Sequence, residues 1–261
     1  MERDDIIGYI EGTFENYTVE IDDENDDETI IQINIFNEEE TCKYIEFTIM
    51  LFDDNLITID HVDNCGDNGI GNMMMSLIEQ LAFMIESKAI ELIEQSQIIM
   101  KTKKSTMAIS LSLLNTLKSG QSWYNSRGYI CKTLSQSQHN ARIAQNIHII
   151  QSTRMDELGI DPKLLSKIHT TNELLDPSAD IRTYFTVVAS VLKDWKHCKY
   201  LKSLVKLINA IHELKIVEVD CERDAMIKRL TVAAMVNKKY KKQSRKKKSK
   251  SKSKSKNKRH K

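Results

Sequence analysis

The stretch "VDNCGDNGIGNMMMSLIEQLA", residues 62–82, decides the fold, because glycines crowd together directly before an apolar helix pattern. Apolar residues of that pattern recur at three- and four-residue steps, which predicts a helix to about Ser87. They are Ile70, Met74, Leu77, Ile78, Leu81 and Ile85. The glycines, Gly66, Gly69 and Gly71, have two explanations. They make a tight turn into the helix, or their bare backbone amides hold a phosphate at its N-terminus.

Four short segments before this stretch have the pattern of antiparallel strands. They are rich in Ile, Val, Thr and Phe, alternate between apolar and polar residues, and are separated by clusters of Asp, Asn and Glu. The segments are Tyr17–Ile21, Thr29–Phe36, Lys43–Leu51 and Leu56–Val62. Neighbouring segments are close enough for hairpins, so we expect a meander that leads into the glycine-rich loop.

Strand and helix patterns alternate after the first helix, and only helix patterns remain beyond residue 137. We predict strands over 89–100 and 127–134, and helices over 107–119, 138–150, 178–195 and 199–214. Gly120 is a plausible stop for the helix before it. Residues 222–236 are a candidate for one more helix. The predicted fold class is therefore α+β, with an α-helical extension in the second half.

Composition places the 261-residue chain among proteins of one domain with an appendage. No apolar run reaches the roughly 18 residues of a membrane span, and the N-terminus lacks the features of a secretory signal. We therefore expect a soluble intracellular protein, cytoplasmic or nuclear, with no membrane partner. The five cysteines are widely spaced without a C-x-x-C pair, which predicts reduced thiols rather than disulfides or a zinc site. The histidine spacing predicts no metal.

The formal net charge of +1 hides two oppositely charged parts. Residues 1–60 carry 19 Asp and Glu against Arg3 and Lys43, a balance of −17, whereas residues 238–261 carry 15 Lys and Arg and no acid. This tail is predicted to be disordered. Its charge fits nonspecific nucleic-acid binding, a nuclear localisation signal, or folding back onto the acidic strand region. A purely solubilising tail is the remaining alternative.

A second stretch, "GQSWYNSRGYI" at residues 120–130, combines with the glycine-rich loop to resemble the GCN5-related N-acetyltransferase (GNAT) family. That family has a loop Arg/Gln-x-x-Gly-x-Gly/Ala between its fourth strand and third helix. Further on, a helix ends in a tyrosine before a Gly-Phe-like strand start. Gly69 and Gly71 match the small loop positions, and residues 123–129 match the second motif. The resemblance covers about residues 15–135, and "SWYNSRGY" is similar to members encoded by large cytoplasmic DNA viruses.

The resemblance implies a GNAT-like mixed, mainly antiparallel sheet with flanking helices, and acetyl transfer from acetyl-CoA to an amine. It implies that the loop amides bind the pyrophosphate and that the 56–62 strand edge pairs with the pantetheine arm. It also implies that Tyr124 protonates the departing thiolate. The implied binding residues are Val62, Gly66, Asp67, Asn68, Gly69, Ile70 and Gly71. The implied domains are a GNAT-like domain at 1–136, a helical extension at 137–237 and the basic tail at 238–261.

Two features of the sequence leave the activity open. Gly66 stands at the family's Arg/Gln position, so one donor to the phosphates is missing. The candidates for a general base lie around the end of the fourth strand, and they are Glu46, Asp60, His61 and Asp63. Tyr124 has an alternative role as an aromatic at the edge of the core, and His61 as a structural histidine. The alternative function is a catalytically inactive GNAT-like protein that associates with nucleic acid or other acidic partners through its tail.

Overall fold

The computed structural model describes residues 2–22, 29–51, 55–63, 69–93, 97–101, 106–194, 196, 198–219, 221 and 225–230. Contacts divide the chain into two compact units, one of Met1–Leu92 with Lys228–Lys261 and one of Ile93–Ile227. The described residues contain eight α-helices, a mostly antiparallel sheet of seven strands and a two-stranded sheet. The α+β fold class is confirmed. None of the described helices combines the length and apolar character that crossing a bilayer requires.

The first unit is built on the predicted meander. Its strands follow the chain in the order β1-β2-β3-β4-β5. They are β1 (Thr18–Asp22), β2 (Ile30–Phe36), β3 (Lys43–Met50), β4 (Leu56–Val62) and β5 (Ala89–Ile93). The first four pair antiparallel, as their alternation predicts, and β5 lies parallel to β4. The inward residues of β2, β3 and β4 are buried, and Ile31, Ile33, Phe47, Ile49 and Ile57 are fully so.

Two helices contribute the rest of this core. Helix α2 (Ile70–Met84) connects β4 to β5 and packs against β3 and β4, burying Met74, Ile78 and Leu81. Helix α1 (Arg3–Thr13) contacts α2 and buries Ile6 and Ile10. The residue pattern does not predict α1, because most of its remaining residues are charged or small and its apolar stripe is narrow.

The second unit is mainly helical. A hairpin of β6 (Gln97–Lys101) and β7 (Thr106–Ser110) leads into its helices. They are α3 (Leu111–Ser119), α4 (Trp123–Ser126), α5 (Gln136–Ser152), α6 (Pro162–Thr171), α7 (Ile181–Lys193) and α8 (Leu201–Leu214). Strand β8 (Ile130–Cys131) pairs antiparallel with Ile227 and Met226 of β9 (Ala225–Arg229). The core joins residues of the hairpin and the helices, among them Ile109, Leu117, Tyr184 and Leu204.

Capping side chains fix where several of these helices begin. Ser135 and Gln138 form a capping box at α5, and Asp180 accepts the amide of Thr183 at α7. Helix α3 ends at Gly120, as predicted, in a left-handed conformation with φ 84°. A Cβ at this glycine would lie 3.2 Å from the backbone nitrogen of Ile147 on α5. Gly120 is therefore required for both its φ and its close helix contact.

Several predicted elements differ in extent or type. The predicted helix over 107–119 begins only at Leu111, because Met107 and Ile109 pair with β6 and the Ser110 side chain caps the helix. The predicted strand over 89–100 is divided into β5 and β6, and that over 127–134 shrinks to two residues. The predicted helix over 222–236 is wrong for 225–229, which is strand β9; five residues are too few to separate the two periods.

The two units divide at Leu92/Ile93, and the predicted domain boundary at 136/137 stays a prediction. Contacts place residues 93–136 with the helical segment that follows them. Helix α3 packs against α5 and α7, so its apolar residues share one core with the later helices. The last residues of β9 lie in the first unit, where Lys228 forms an ion pair with Glu79 at 2.9 Å.

The prediction of reduced thiols is wrong for three of the described cysteines, Cys42, Cys131 and Cys221, which are disulfide-bonded. Cys131 and Cys221 form a disulfide within the second unit, with their Cα atoms 5.5 Å apart. They are 90 residues apart in sequence and meet because Cys131 ends β8 while Cys221 shortly precedes its partner β9. Spacing along the chain gives no sign of such a pairing. Cys198 has a free thiol.

Candidate functional site

Strand β4 carries a β-bulge where the candidate bases lie. Glu46 of β3 faces His61, whereas the next residue, Phe47, faces Ile59. Asp60 is therefore the extra residue on β4. Bulges bend a strand and redirect its side chains, so the end of β4 departs from the regular ladder at Asp60.

The parallel pairing of β4 with β5 stops at the same place. The described register runs from Leu56 opposite Ala89 to Ile59 opposite Leu92. Residues 60–62 of β4 lie beyond that ladder, although Val62 still faces Ile45 of β3 on the other side. The edge of β4 after Ile59 is thus not used by the described β4–β5 pairing.

Helix α2 begins with a glycine that needs its conformational freedom. Gly69 has φ 90°, and its carbonyl accepts the amide of Met73 at 3.1 Å. The amides of Ile70 and Gly71 precede this first intrahelical bond, and the first turn carries no acidic side chain. The tight-turn explanation therefore holds for Gly69, while these amides keep the properties that an anion would need. Gly66, Asp67 and Asn68 lie outside the described residues.

The candidate bases differ in their electrostatic surroundings. Glu46 accepts hydrogen bonds from Lys43 Nζ at 2.8 Å and from Gln32 Nε2 at 3.1 Å, and the Lys43 hydrogen bond lowers its pKa. Burial raises the pKa of Asp60, and the nearby charge of Glu46 adds to the rise, although a 3.1 Å hydrogen bond from Thr48 opposes it. Because a base works best with a pKa near the working pH, Asp60 is better suited than Glu46.

His61 lies beside these carboxylates at the surface. Its Nε2 is 4.0 Å from Asp63 Oδ2, and both side chains are about half exposed, at 49% and 51%. The pairing with Glu46 across the strands brings the imidazole next to the bulge. Glu46, Asp60, His61 and Asp63 therefore form one cluster in the first unit.

Tyr124 lies in the second unit, on the short helix α4. Its side chain is 7% exposed and packs edge-on against Trp123 and Tyr129 at centroid distances of 4.7 and 6.0 Å. Ser122 and Asn125 form a capping box around it, and Asn125 Nδ2 also donates to the Tyr129 carbonyl at 3.1 Å. These ring contacts fit the alternative role of Tyr124 as an aromatic side chain at the edge of the core.

A second phenol, Tyr17, lies near the start of α2. Its hydroxyl donates to Met73 Sδ at 3.3 Å, and its ring packs edge-on against Tyr44 at 6.1 Å. Burial raises the pKa of Tyr17, so its hydroxyl holds its proton more tightly than a free phenol. Tyr17 could not be predicted as a site residue, because a tyrosine just before a first strand carries no motif.

Other chemistry-bearing groups of the described residues lie in the second unit. A cavity of about 330 Å³ in the second unit is lined by residues that include Asp194, Cys198 and Tyr200. Burial raises the pKa of the Cys198 thiol, which disfavours the nucleophilic thiolate. The described part of the chain contains no group of three or more His, Cys, Asp or Glu placed to hold a metal ion.

Comparisons of the sequence add no family assignment: no family model matches it, and no curated protein matches it.

Proposed function

We propose that this protein is an N-acetyltransferase that moves an acetyl group from acetyl-CoA to an amine. The observation that carries the proposal is the coincidence of three features in the first unit. The bulge at Asp60, the end of the β4–β5 ladder at Ile59 and the glycine-capped start of α2 follow one another along the chain. The resemblance of the two sequence motifs to the GNAT family points to the same reaction.

The start of α2 and the edge of β4 suit the two polar parts of acetyl-CoA. Backbone amides at a helix N-terminus, with its partial positive charge, bind phosphate oxygens, and Ile70 and Gly71 supply such amides. The pantetheine arm contains amides that can pair with a strand edge, as extended peptides do. Residues 60–62 of β4 supply that edge. Backbone groups therefore make both proposed contacts with acetyl-CoA, which accounts for the glycines in the loop.

The proposed reaction begins with removal of a proton from the acceptor ammonium. Asp60 accepts this proton, directly or through water, and His61 is the second candidate. The neutral amine nitrogen then attacks the thioester carbonyl carbon, a carbon–nitrogen bond forms and the carbon–sulfur bond breaks. The departing thiolate takes a proton from a phenol, which the motif resemblance assigns to Tyr124, and the second proton that the attacking nitrogen loses as it becomes an amide restores this phenol, directly or through water.

Acetyl-CoA binding to the full chain tests the proposal by calorimetry. Gly69→Glu adds a Cβ at φ 90° and a negative charge beside the proposed pyrophosphate position. The matched control is Gly159→Glu, because Gly159 also has positive φ, 70°, and both glycines have no atom within 4 Å of an added Cβ. We expect Gly69→Glu to weaken binding at least tenfold and Gly159→Glu to leave it unchanged. Absence of binding by the unmodified chain would contradict the proposal.

The charge of the tail favours a second function, in which a GNAT-like protein without catalysis associates with nucleic acid. Fifteen Lys and Arg without an acid, over residues 238–261, supply many phosphate contacts. Retention of a DNA oligonucleotide by the full chain and by a chain ending at Asn237 tests this. Loss of retention only in the shorter chain, together with no acetyl-CoA binding, would favour the second function.

A further inference from the structure

The sheet of the first unit has a second face that is polar. Its polar side chains lie opposite the buried isoleucines and are partly or fully exposed, whereas one end of the same face carries an apolar row of Ile30, Met50, Leu56 and the buried Ala89. We call this the polar sheet face; it consists of Glu20, Asp22, Gln32, Asn34, Glu46, Thr48, Thr58, Asp60, His61 and Glu91. It includes the candidate bases at the bulge, so whatever covers it also covers the proposed acceptor side of the site.

Strand register joins these residues into two continuous rows, because residues directly opposite each other on paired strands share a face. One row crosses four strands, and it is Glu20, Asn34, Glu46 and His61. The other crosses all five strands, and it is Asp22, Gln32, Thr48, Thr58 and Glu91. The hydrogen bonds from Gln32 to Glu46 and from Thr48 to Asp60 link side chains within the face.

The chemistry of the polar sheet face favours a cationic, donor-rich ligand. Five of its side chains are carboxylates, and the lysine beside them, Lys43, pairs with Glu46. The Oδ1 atom of Asn34, in the middle of the face, is buried and receives no hydrogen bond from the described residues. The face thus offers acceptors and negative charge over the width of five strands.

The chain itself contains a segment with the complementary charge. Residues 238–261 carry 15 Lys and Arg. The described chain before them is held in the first unit, where the amide of Leu230 donates to the Lys88 carbonyl at 2.8 Å. Seven residues separate Leu230 from Lys238, and they span at most about 25 Å when extended. Such a short tether gives the tail an effective concentration in the millimolar range at any surface within its reach.

We propose that the polar sheet face binds the Lys/Arg-rich tail of its own chain, residues 238–261. A tail bound to this face competes with any other cationic ligand of the same carboxylates. It also has to leave this face before it can contact nucleic acid. The proposal does not depend on acetyl transfer, because charge, register and tether length carry it.

Zero-length carbodiimide cross-linking of the full chain tests the contact, since it joins lysine amines only to carboxylates they touch. An equal mixture of unlabelled and isotope-labelled chains separates links within one chain from links between chains. We expect tail lysines to link to Glu20, Asp22 or Glu91 within one chain at about 20 mM salt, and to lose these links at about 500 mM. The acids on the outer side of α1, Asp4, Asp5 and Glu11, provide the internal reference.

Two results of this mapping would overturn the proposal. Equal linkage to the α1 acids and to the polar sheet face would mean that the tail samples all negative surface without a preferred site. Linkage only between labelled and unlabelled chains would mean that a second copy, not the same chain, occupies the face. Neither cross-linking result depends on acetyl-CoA. The test of the tail contact is therefore valid even if the protein does not transfer acetyl groups.

Charge-neutralising variants test the same contact through the affinity of the chain for nucleic acid. The triple variant Glu20→Gln, Asp22→Asn, Glu91→Gln is compared with Asp4→Asn, Asp5→Asn, Glu11→Gln, which changes the net charge equally. If the face holds the tail about 80% of the time, releasing it raises the affinity for a single-stranded DNA oligonucleotide about fivefold. We expect this gain only in the sheet variant. An equal gain in both variants would show a general charge effect and would contradict a specific contact.

Discussion

Asn146 and Glu218 are joined by a reciprocal pair of hydrogen bonds. Asn146 Nδ2 donates to the Glu218 carbonyl at 2.8 Å, and the Glu218 amide donates to Asn146 Oδ1 at 2.9 Å. The same Nδ2 donates to the carbonyl of Gly120 at 3.2 Å, and Arg142 one turn earlier forms an ion pair with the Glu218 carboxylate. One buried side chain of α5 therefore holds both the end of α3 and the segment that follows α8.

Replacing Asn146 with alanine is expected to destabilise the second unit strongly. The substitution leaves the Glu218 amide and two carbonyls without their partner, at about 1–3 kcal/mol for each group that stays buried. We expect a loss of about 2–4 kcal/mol in the free energy of unfolding, measured by urea titration. Gln145→Ala, at an exposed position on the same helix, should change it by less than about 0.5 kcal/mol. Equal effects would contradict the anchoring role.

Removing the Cys131–Cys221 disulfide, which also involves the segment after α8, is expected to lower the free energy of unfolding. The bond closes a loop with a sequence separation of 90 residues, for which the chain-entropy relation gives roughly 4–5 kcal/mol as an upper value. The double variant Cys131→Ser, Cys221→Ser should therefore unfold at lower urea concentration under oxidising conditions. Cys198→Ser serves as the control because that thiol is free. An unchanged midpoint in the double variant would argue against the disulfide in solution.

Alanine substitutions at two glycines distinguish the cost of backbone strain from the cost of steric crowding. Gly120 and Gly159 both have positive φ, at 84° and 70°, but an added Cβ meets Ile147 at Gly120 and nothing within 4 Å at Gly159. We expect Gly159→Ala to cost about 1–2 kcal/mol from φ alone. Gly120→Ala should cost about 1–3 kcal/mol more, because α5 must move away. Denaturant unfolding of both variants measures the difference, and equal costs would show that the helix contact adjusts freely.

Glu46 and Asp60 should affect the pH dependence of stability in opposite directions. Glu46 has a lowered pKa, so it stabilises the fold above its unfolded-state pKa of about 4.5, and this contribution disappears as the pH falls through the folded-state pKa. The deficit of Glu46→Gln relative to the unmodified chain should therefore shrink on acidification.

Asp60 has a raised pKa, so its ionisation opposes folding above the folded-state pKa. Asp60→Asn should be more stable than the unmodified chain at neutral pH, and this advantage should disappear on acidification. Thermal unfolding from pH 3 to pH 8 (about the range in which carboxylates and histidine titrate) follows both variants. A shared direction for the two variants would contradict the assignment of their pKa shifts.

Tyr124→Phe tests the acid in the proposed acetyl transfer. Phenylalanine keeps the packing against Trp123 and Tyr129 but removes the proton, so kcat should fall about 100-fold while KM for acetyl-CoA stays similar. Tyr184→Phe is a matched control, since the Tyr184 hydroxyl is buried without a hydrogen-bond partner among the described residues. Release of free CoA thiol reports the rate. If kcat falls in Tyr17→Phe and not in Tyr124→Phe, the acid that protonates the thiolate is Tyr17.

Local patterns predicted the first unit well, because its strands alternate cleanly and its turns are too charged to be anything else. The start of α2 followed from Ile70 and its apolar period. The bulge at Asp60 could not be predicted, because it depends on how β3 and β4 register against each other. Strand β9 and the Cys131–Cys221 bond were missed for a related reason: their partners lie about 90 residues earlier in the chain.

Because the first unit consists of residues before Ile93 and after Ile227, its two parts are synthesised at different times. The ribosome makes all of residues 93–227 before it reaches the part of β9 that returns to the first unit. At about 5–20 residues per second, this interval lasts on the order of ten seconds. During that time a nascent chain presents the Lys88 carbonyl and the Glu79 carboxylate without Leu230 and Lys228, the groups that engage them in the finished fold.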